Sequence, residues 1–547
     1  MSHLEPVSVS PWRNLRRSTR SLPSRPLADT FRPALKAVFF TACLCAGLFS
    51  FSLRAAEKIP PLKFEQRMLA NGLQFIWLEN HETPTVAVQV WYRVGSKDDP
   101  AGRSGFAHLF EHMMFKSTKR MPNEFLDRLT EDVGGENNAF TQDDVTVYHE
   151  TVPSNHLERL LWAEAERLSS LEVNDENFHT ERDVVKEEFR QSVLAQPYGE
   201  FGEFIIKQSF AEHPYKRPTI GSIEELDASV LDEVRAFHAT FYRPDNAVLV
   251  VAGDFDPAQL QRWVDQYFAP LAKPETPIPR VTVEEPARTE ARTVREYDAK
   301  VPLPALAMTW LAPKIASAET PALTLLAEVL AGGESSRLYQ SLIYRQQLAQ
   351  SAEFSADLRA DAGLLTCEIV LASGVKIENV DVAVRAEIAA VAQLGISEVE
   401  LTTARNQTLA SKLAERETNS GKATELGYAA TLLGDPERAN ATLNELQAVT
   451  AAQVQEVARK WFTDANRLTI EYLPASMQPK TKDNTPPGKA RASHTAAKPK
   501  PAPTPAPAAT PAPKKSIWSK EPTKAPASTP PPKVKATPIP KKGGVKK

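Results

Sequence analysis

His108, Glu111 and His112 are the residues of this chain whose types and spacing are best suited to chemistry. They form the pattern H-x-x-E-H in a segment compatible with a helix, after a turn at residues 102–105. Histidines four residues apart share one helical face, with Cβ atoms about 5–6 Å apart, so both imidazoles can bind one metal ion. Glu111 is placed to act on a water held by that ion. The alternative is a histidine pair with a purely structural role.

A catalytic zinc site needs a third protein ligand and an open position, and residues 180–189 (TERDVVKEEF) offer a candidate. One face of this predicted helix carries two valines and two glutamates, Glu181, Val184, Val185 and Glu188. Two carboxylates on an otherwise apolar face indicate a cation, because burial disfavours an unpaired charge. This selects Glu188 over Glu187 as the ligand. The alternative, an exposed carboxylate on a charged helix, fits Glu187 and Asp183.

The elements that must position these residues are repeated along the chain. Two segments 220 positions apart align without a gap, LDASVLDEVRAFHATFYRPDNAVLVVAGD from Leu226 and LQAVTAAQVQEVARKWFTDANRLTIEYLP from Leu446. The alignment pairs Asn246 with Asn466, and each copy is typical of an amphipathic helix followed by a strand. A second pair of strand-like segments, TPTVAVQVWYRVG and VPLPALAMTWLAP, shows the same repeat.

The repeat predicts the domain organisation. A chain of 547 residues is too long for a single core. We expect two homologous α+β domains, at residues 57–272 and 294–475, joined by a charged, Pro-rich linker at residues 273–293.

An apolar run lies near the start of the chain, at residues 37–52 (AVFFTACLCAGLFSFS), after Arg32 and Lys36. The pattern predicts a signal peptide with a long basic n-region, residues 1–56, and a periplasmic or otherwise exported protein. At about 16 residues the run is short for a membrane span, and an uncleaved membrane anchor is the alternative. Cleavage would leave Cys367 as the only cysteine, so no intramolecular disulfide is expected.

Charge is distributed unevenly. The overall charge is −3, but residues 1–56 carry +6 and residues 476–547 carry +14, which leaves −23 for the body. An acidic body repels phosphate backbones, so nucleic acid is not expected as a partner. The segment 476–547 is rich in Pro, Ala and Lys, which predicts a disordered tail. Weak electrostatic contact of its cations with the cell envelope and a purely solubilising role are the two alternatives for this tail.

The combination of motifs resembles a known family. The H-x-x-E-H motif, followed 76 positions later by Glu188 with Glu181 two turns before it, resembles the pitrilysin and insulinase family of inverted zinc metallopeptidases. The segment GGENNAFT, residues 134–141, resembles the family's substrate-binding edge strand. The resemblance covers residues 63–473 and places the chain with the shorter members, which include bacterial processing proteases.

This resemblance implies roles for individual residues. One zinc ion per chain would be held by three side chains, those of His108, His112 and Glu188. Glu111 would be the general base, and Glu181 would orient a histidine ligand. The peptide is expected to add as a strand beside Asn138, Ala139 and Thr141. The implied activity is that of a zinc endopeptidase acting on peptides or unfolded segments, and the alternative is a non-cleaving peptide-binding or scaffold subunit.

The resemblance also implies a partner chain. Longer family members enclose their substrate with four such domains, whereas this chain supplies two. Arg345 resembles a substrate-contacting arginine that is followed seven residues later by a tyrosine, but that later position here is Ala352. Gln350 takes the tyrosine's place only if the alignment loses two residues. We therefore expect a homodimer or a heterodimer with a related chain that completes the substrate clamp.

Overall fold

The computed structural model describes residues 59–479, which belong to one compact unit. The predicted signal peptide and nearly all of the predicted tail lie outside the described residues. Between residues 59 and 479, no helix is both long enough and apolar enough to cross a membrane.

The first domain is built on a six-stranded sheet. Its strands are β1 (Glu65–Met68), β2 (Gln74–Glu79), β3 (Thr85–Tyr92), β4 (Glu136–Thr141), β5 (Thr146–Pro153) and β6 (Ala247–Gly253). Its helices are α1 (Phe106–Met113), α2 (Phe125–Glu131), α3 (Leu157–Ser170), α4 (Asp175–Phe189), α5 (Gly199–Ser209), α6 (Ile223–Ala228), α7 (Leu231–Phe241) and α8 (Pro257–Tyr267). The strand order is β1-β2-β6-β3-β5-β4, so β4 is an edge strand that pairs only with β5.

The second domain repeats this arrangement with five strands. They are β7 (Arg292–Asp298), β8 (Ala305–Ala312), β9 (Ala349–Leu358), β10 (Gly363–Leu371) and β11 (Arg467–Pro474). The helices are α9 (Thr320–Ala331), α10 (Ile377–Leu394), α11 (Glu398–Glu415), α12 (Asn419–Leu432), α13 (Arg438–Ala448) and α14 (Ala451–Trp461). The order β7-β11-β8-β10-β9 makes β9 the counterpart of β4. The predicted pair of similar α+β domains is confirmed.

Each sheet has one face covered by its own domain and the other covered by a helix of the other domain. The first sheet packs its second face against α12, where Trp91 and Val147 meet Ala423 and Leu426. The second sheet packs its second face against α5, where Phe201 lies in the same apolar cluster as strands β8 and β11. This exchange of helices buries apolar surface of both domains together, which holds them as one unit.

The aligned asparagines make the same contacts in both domains. The Asn246 side chain donates to the carbonyls of Arg93 and Phe241, at 3.2 and 2.9 Å. The Asn466 side chain donates to the carbonyls of Leu311 and Trp461, at 2.9 and 3.1 Å. Each asparagine therefore ties the end of a helix to a neighbouring strand, and the repeat extends to hydrogen bonds.

The segment between the domains has no helix or strand between Tyr267 and Arg292, as its composition predicts. Two of its arginines bind these asparagine sites. Arg280 donates to the Arg93 carbonyl at 2.8 Å and to the side chain of Asn246. Arg288 donates to the Asn466 carbonyl at 2.9 Å. The linker is thus fastened at equivalent places in the two domains.

Candidate metal centre and peptide-binding edge

Helix α1 forms because its two faces differ in polarity. Phe106, Leu109, Phe110 and Met113 are buried at positions i, i+3, i+4 and i+7, which leaves the H-x-x-E-H side chains on the other face. Gly105 precedes the helix at φ +94°, where a Cβ would lie 2.8 Å from the Ile220 carbonyl oxygen. The Asp99 carboxylate accepts hydrogen bonds from the first amides of the helix, those of Gly105 and Ala107, at 2.7 and 2.9 Å.

The structure brings three predicted ligands together. The ligand atoms of His108, His112 and Glu188 all lie within 4.8 Å of one another. Oε2 of Glu188 is 3.3 Å from His112 Nε2 and 3.8 Å from His108 Nε2. Ligands bound tetrahedrally at about 2.0–2.2 Å from zinc are separated by about 3.4 Å. Two imidazoles and a carboxylate at these distances fit a zinc ion, and their assignment as ligands stays a prediction.

The two histidines differ in their surroundings. Burial lowers the pKa of His108 to about 4, and the neighbouring His112 acts in the same direction. Burial also opposes protonation of His112, but the carboxylates of Glu181 and Glu188 raise its pKa to about 9. A cation bound between the three groups would take the place of that proton, because a metal ligand must be the neutral imidazole.

Helix α4 supplies the carboxylates. Asn174 caps its first turn by accepting from the amide of Asn177 at 2.9 Å. Glu181 and Val185 are buried, but the prediction that Val184 shares this buried face is wrong, because its side chain lies 44% exposed. The buried face is therefore narrower than the i, i+3, i+4, i+7 pattern indicated, and Glu188 lies at its edge.

Glu181 contacts His112, one of the three candidate metal ligands. Its Oε2 lies 3.7 Å from His112 Nδ1, and its Oε1 lies 2.7 Å from the ammonium of Lys116. The arrangement fits a carboxylate that orients a histidine ligand. Lys116 was not predicted from the sequence, although its place one turn after His112 is a signal that could have found it.

Glu111 projects from the same face of α1 and lies beside the end of β4. Burial raises the pKa of its carboxyl above the usual value, while the hydroxyl and amide of Thr141 act in the opposite direction. The Thr141 hydroxyl is buried without a well-aligned hydrogen-bond partner among the described residues. The candidate general base thus lies between the candidate metal ligands and the edge strand.

Strand β4 carries the predicted peptide-binding residues. Asn138 lies within the strand and is exposed, and its Oδ1 accepts from the Ala139 amide at 2.9 Å. Ala139 is buried in the core under α1. The outer edge of β4 pairs with no strand among residues 59–479. An unpaired edge offers main-chain donors and acceptors to an added strand.

Arg345 lies in the second domain. It ends a π-helix, Tyr339–Arg345, and its side chain is exposed with no hydrogen bond or ion pair recorded within the described part of the chain. Gln350 lies at an irregularity of β9, where the register with β10 shifts between Val370 and Leu371. The role of both residues in substrate binding stays a prediction.

Comparison with known proteins places this site in a family. The family model described as insulinase (peptidase family M16) matches residues 75–222, and that of the peptidase M16 inactive domain matches residues 229–408. The zinc protease PqqE of Helicobacter pylori is 32% identical over 304 residues, which cover 55% of this chain and 68% of that protein. The chain belongs to the insulinase family of peptidases. The predicted family is confirmed.

Solved structures of other proteases share the fold. A protease from Helicobacter pylori matches with a TM-score of 0.72 at 27% identity, covering 76% of this chain and 100% of that one. The periplasmic protease PqqL from Escherichia coli has a TM-score of 0.63 at 18% identity, covering 76% of this chain and 48% of that one. The two domains of this chain therefore correspond in length to about half of PqqL.

Proposed function

We propose that this insulinase-family protein is a zinc endopeptidase that cleaves peptides or unfolded protein segments in the cell envelope. The observation that carries the proposal is the placing of His108, His112 and Glu188 within 4.8 Å of one another, with Glu111 on the same helix beside a free edge strand. This partly buried group has ligand atoms for one zinc ion, and Glu111 is a base that does not bind the ion.

The candidate metal ligands and Glu111 have different roles in peptide hydrolysis. Zinc, when bound by His108, His112 and Glu188, supplies a Lewis acid that polarises the peptide carbonyl and acidifies water. Glu111 takes a proton from the attacking water as its oxygen bonds to the carbonyl carbon. When the carbon–nitrogen bond breaks, Glu111 returns that proton to the leaving amine. Burial raises the pKa of Glu111 above its usual value, which makes its carboxylate a stronger base.

The peptide lies along β4 as an added strand. Main-chain hydrogen bonds to the edge hold it in an extended conformation and confer little sequence preference. Ala139 has a small side chain that lets the strand lie close to α1, and Thr141 connects the end of that strand to Glu111. Asn138 is exposed on the strand and contributes a side-chain amide.

Metal content and cleavage test the proposal together. Purified together with any chain that associates with it, the protein should bind one zinc ion, cleave fluorescein-labelled casein and lose activity on chelation. Glu111→Gln should retain zinc while its turnover falls about 10²–10⁴-fold, the range for loss of an acid–base group. Loss of zinc in this variant would contradict the assignment of Glu111. A wild type that binds zinc and casein without cleaving would favour the alternative of a binding or scaffold subunit.

We infer that the protein works with a second chain. The chain spans 48% of PqqL, and the exposed Arg345 lacks the tyrosine expected seven residues later. A related chain that carries the arginine and tyrosine would complete the substrate clamp, which favours a heterodimer over a homodimer. Mass in solution and activity on dilution test this, since undiminished turnover by a monomer would refute it. Restoration of activity by a related chain without the zinc motif would favour the heterodimer.

Export to the cell envelope is proposed from the apolar run at residues 37–52 and its preceding cations. Fractionation of cells and N-terminal sequencing of the mature protein would locate it and define the cleavage site. Recovery of the full-length chain from the cytoplasm would contradict the proposal.

A further inference from the structure

The tips of two equivalent hairpins meet where the domains join. The β4–β5 turn of the first domain presents Asp143 and Asp144, and the β9–β10 turn of the second domain presents Arg359 and Asp361. These turns follow the two edge strands, so the contact lies at the end of the strand that is proposed to bind the peptide.

Arg359 joins the tips by charge and packing. Its Nη1 lies 3.2 Å from Oδ2 of Asp143, and its guanidinium stacks over the Tyr215 ring with 4.9 Å to the centroid. The side chain is 9% exposed. Removing one partner of a buried ion pair is costly, because it leaves the other charge without its partner.

Asp144 joins the tips by direct hydrogen bonds. Its Oδ2 accepts from the amide of Ala360 at 3.0 Å, and its Oδ1 accepts from the Tyr215 hydroxyl at 2.6 Å. The Tyr215 hydroxyl in turn accepts from the Asp361 amide at 3.1 Å. Lys97 bridges the two turns, with its ammonium 2.8 Å from Asp144 and 2.7 Å from Asp361.

The contact between the two hairpin tips, called the brace here, lies at the end of an edge strand. Strand β4 pairs along one side only, and Asp143 is two residues beyond Thr141, whose hydroxyl and amide face Glu111. Affinity in strand addition comes from main-chain groups held in register. A turn that moves would shift those groups along the whole six-residue strand.

We propose that Arg359 is a positioning residue that acts through Asp143 to hold β4 in the register needed for peptide binding. The inference rests on the proposed peptidase function and deepens it, because it assigns the second domain a part in substrate affinity. In this proposal the β9–β10 turn of the second domain affects the affinity for the peptide through its contact with Asp143, and not through the candidate metal ligands.

The test separates peptide binding from catalysis and folding. In the Glu111→Gln background, the dissociation constant of fluorescein-labelled casein is measured by anisotropy with and without Arg359→Met. Arg359→Met removes the ion pair with Asp143 and should raise the dissociation constant of casein about tenfold. This is the change expected when one or two net hydrogen bonds are lost. In the active enzyme, the same substitution should raise KM while zinc content is unchanged and kcat stays within about twofold.

Matched variants make the result specific. Arg359→Lys keeps the charge and should restore part of the affinity. Arg337→Met removes another arginine that pairs with a carboxylate, that of Glu400 at 2.6 Å, and should leave KM unchanged. If Arg359→Met does not fold, Asp143→Asn tests the same contact, because it removes the carboxylate charge that faces Arg359.

The possible outcomes distinguish failure of the inference about Arg359 from failure of the proposed peptidase function. Unchanged casein affinity in a folded Arg359→Met protein would overturn the inference while leaving the peptidase function intact. Equal loss of affinity in Arg337→Met would also overturn it, since general destabilisation would then explain the effect. A wild type that neither binds nor cleaves casein would overturn the proposed function and this inference with it.

Discussion

The ammonium of Lys116 lies 2.7 Å from Oε1 of Glu181, the carboxylate whose other oxygen faces a ring nitrogen of His112. This ion pair fixes the orientation of a buried group that contacts a candidate metal ligand. Outer groups of this kind commonly affect metal affinity by about 10–100-fold.

Replacing Lys116 with methionine should therefore weaken zinc binding by about tenfold, because Glu181 loses the partner that orients it. Competition with a chelator of known affinity measures the change. Lys119→Met, at an exposed position nearby, is the control and should bind zinc as the wild type does. Equal zinc affinity in the two variants would show that the ion pair does not act on His112.

Glu188→Gln should lower zinc occupancy strongly, whereas Glu187→Gln should not. Glu188 points towards His112 and His108, while Glu187 pairs with Arg190 and Gln191 on the outside of α4. The side chains of Glu187 and Glu188 are 55% and 43% exposed, so the direction in which each side chain points, rather than its burial, separates the two residues. Zinc content of the purified variants decides the matter, and equal losses would contradict the choice of Glu188.

The spacing of residues along the sequence was sufficient to predict the two helices that carry the candidate metal ligands. Helical spacing places His108, Glu111 and His112 on one face, and the same argument separates Glu188 from Glu187. The argument failed at Val184, because the helix buries a narrower stripe than the apolar pattern suggests. The distance of 76 positions between His112 and Glu188 needed the family resemblance, since spacing alone does not bring two helices together.

The relationship between the domains could not be predicted from periodicity. The exchange of α5 and α12 is not visible locally, because an amphipathic helix shows that it is covered but not by which sheet. The contact between Arg359 and Asp143 lies in turns, where composition indicates a loop and carries no information about partners. The alignment of Asn246 with Asn466 did predict the repeat, and their identical contacts explain why both positions are asparagine.

Asp361→Asn should destabilise the protein in a pH-dependent way. The Asp361 carboxylate lies 3.6 Å from His213 and 2.7 Å from the ammonium of Lys97. These two groups lower the pKa of Asp361 from 3.8 to about 2, although its partial burial opposes them. Asp144 shares Lys97, and the Tyr215 hydroxyl lies against the same turn. Because the folded pKa lies below the unfolded value, the carboxylate stabilises the fold above about pH 4, and this contribution is lost as the pH falls towards 2.

Thermal melts of wild type and Asp361→Asn should accordingly differ most near neutral pH and converge as the solution is acidified below about pH 4. Asp232→Asn, at an exposed position, controls for general effects of removing a charge. A difference in melting temperature that stays constant from pH 7 to pH 3 would show that the ionised carboxylate is not what stabilises this junction.

Two glycines in the exchanged helices should respond oppositely to alanine. Gly427 in α12 lies against Trp91, and a Cβ there would be 2.2 Å from the indole nitrogen of a ring that is 1% exposed. Gly202 in α5 has no atom within 4 Å of the position of a Cβ. Gly427→Ala should therefore destabilise the protein by about 1–3 kcal/mol through overpacking, whereas Gly202→Ala should stabilise it by about 0.5–1 kcal/mol through helix propensity. Urea unfolding of both variants measures the difference, and a Gly427→Ala protein as stable as Gly202→Ala would mean that α12 does not pack closely on the first sheet.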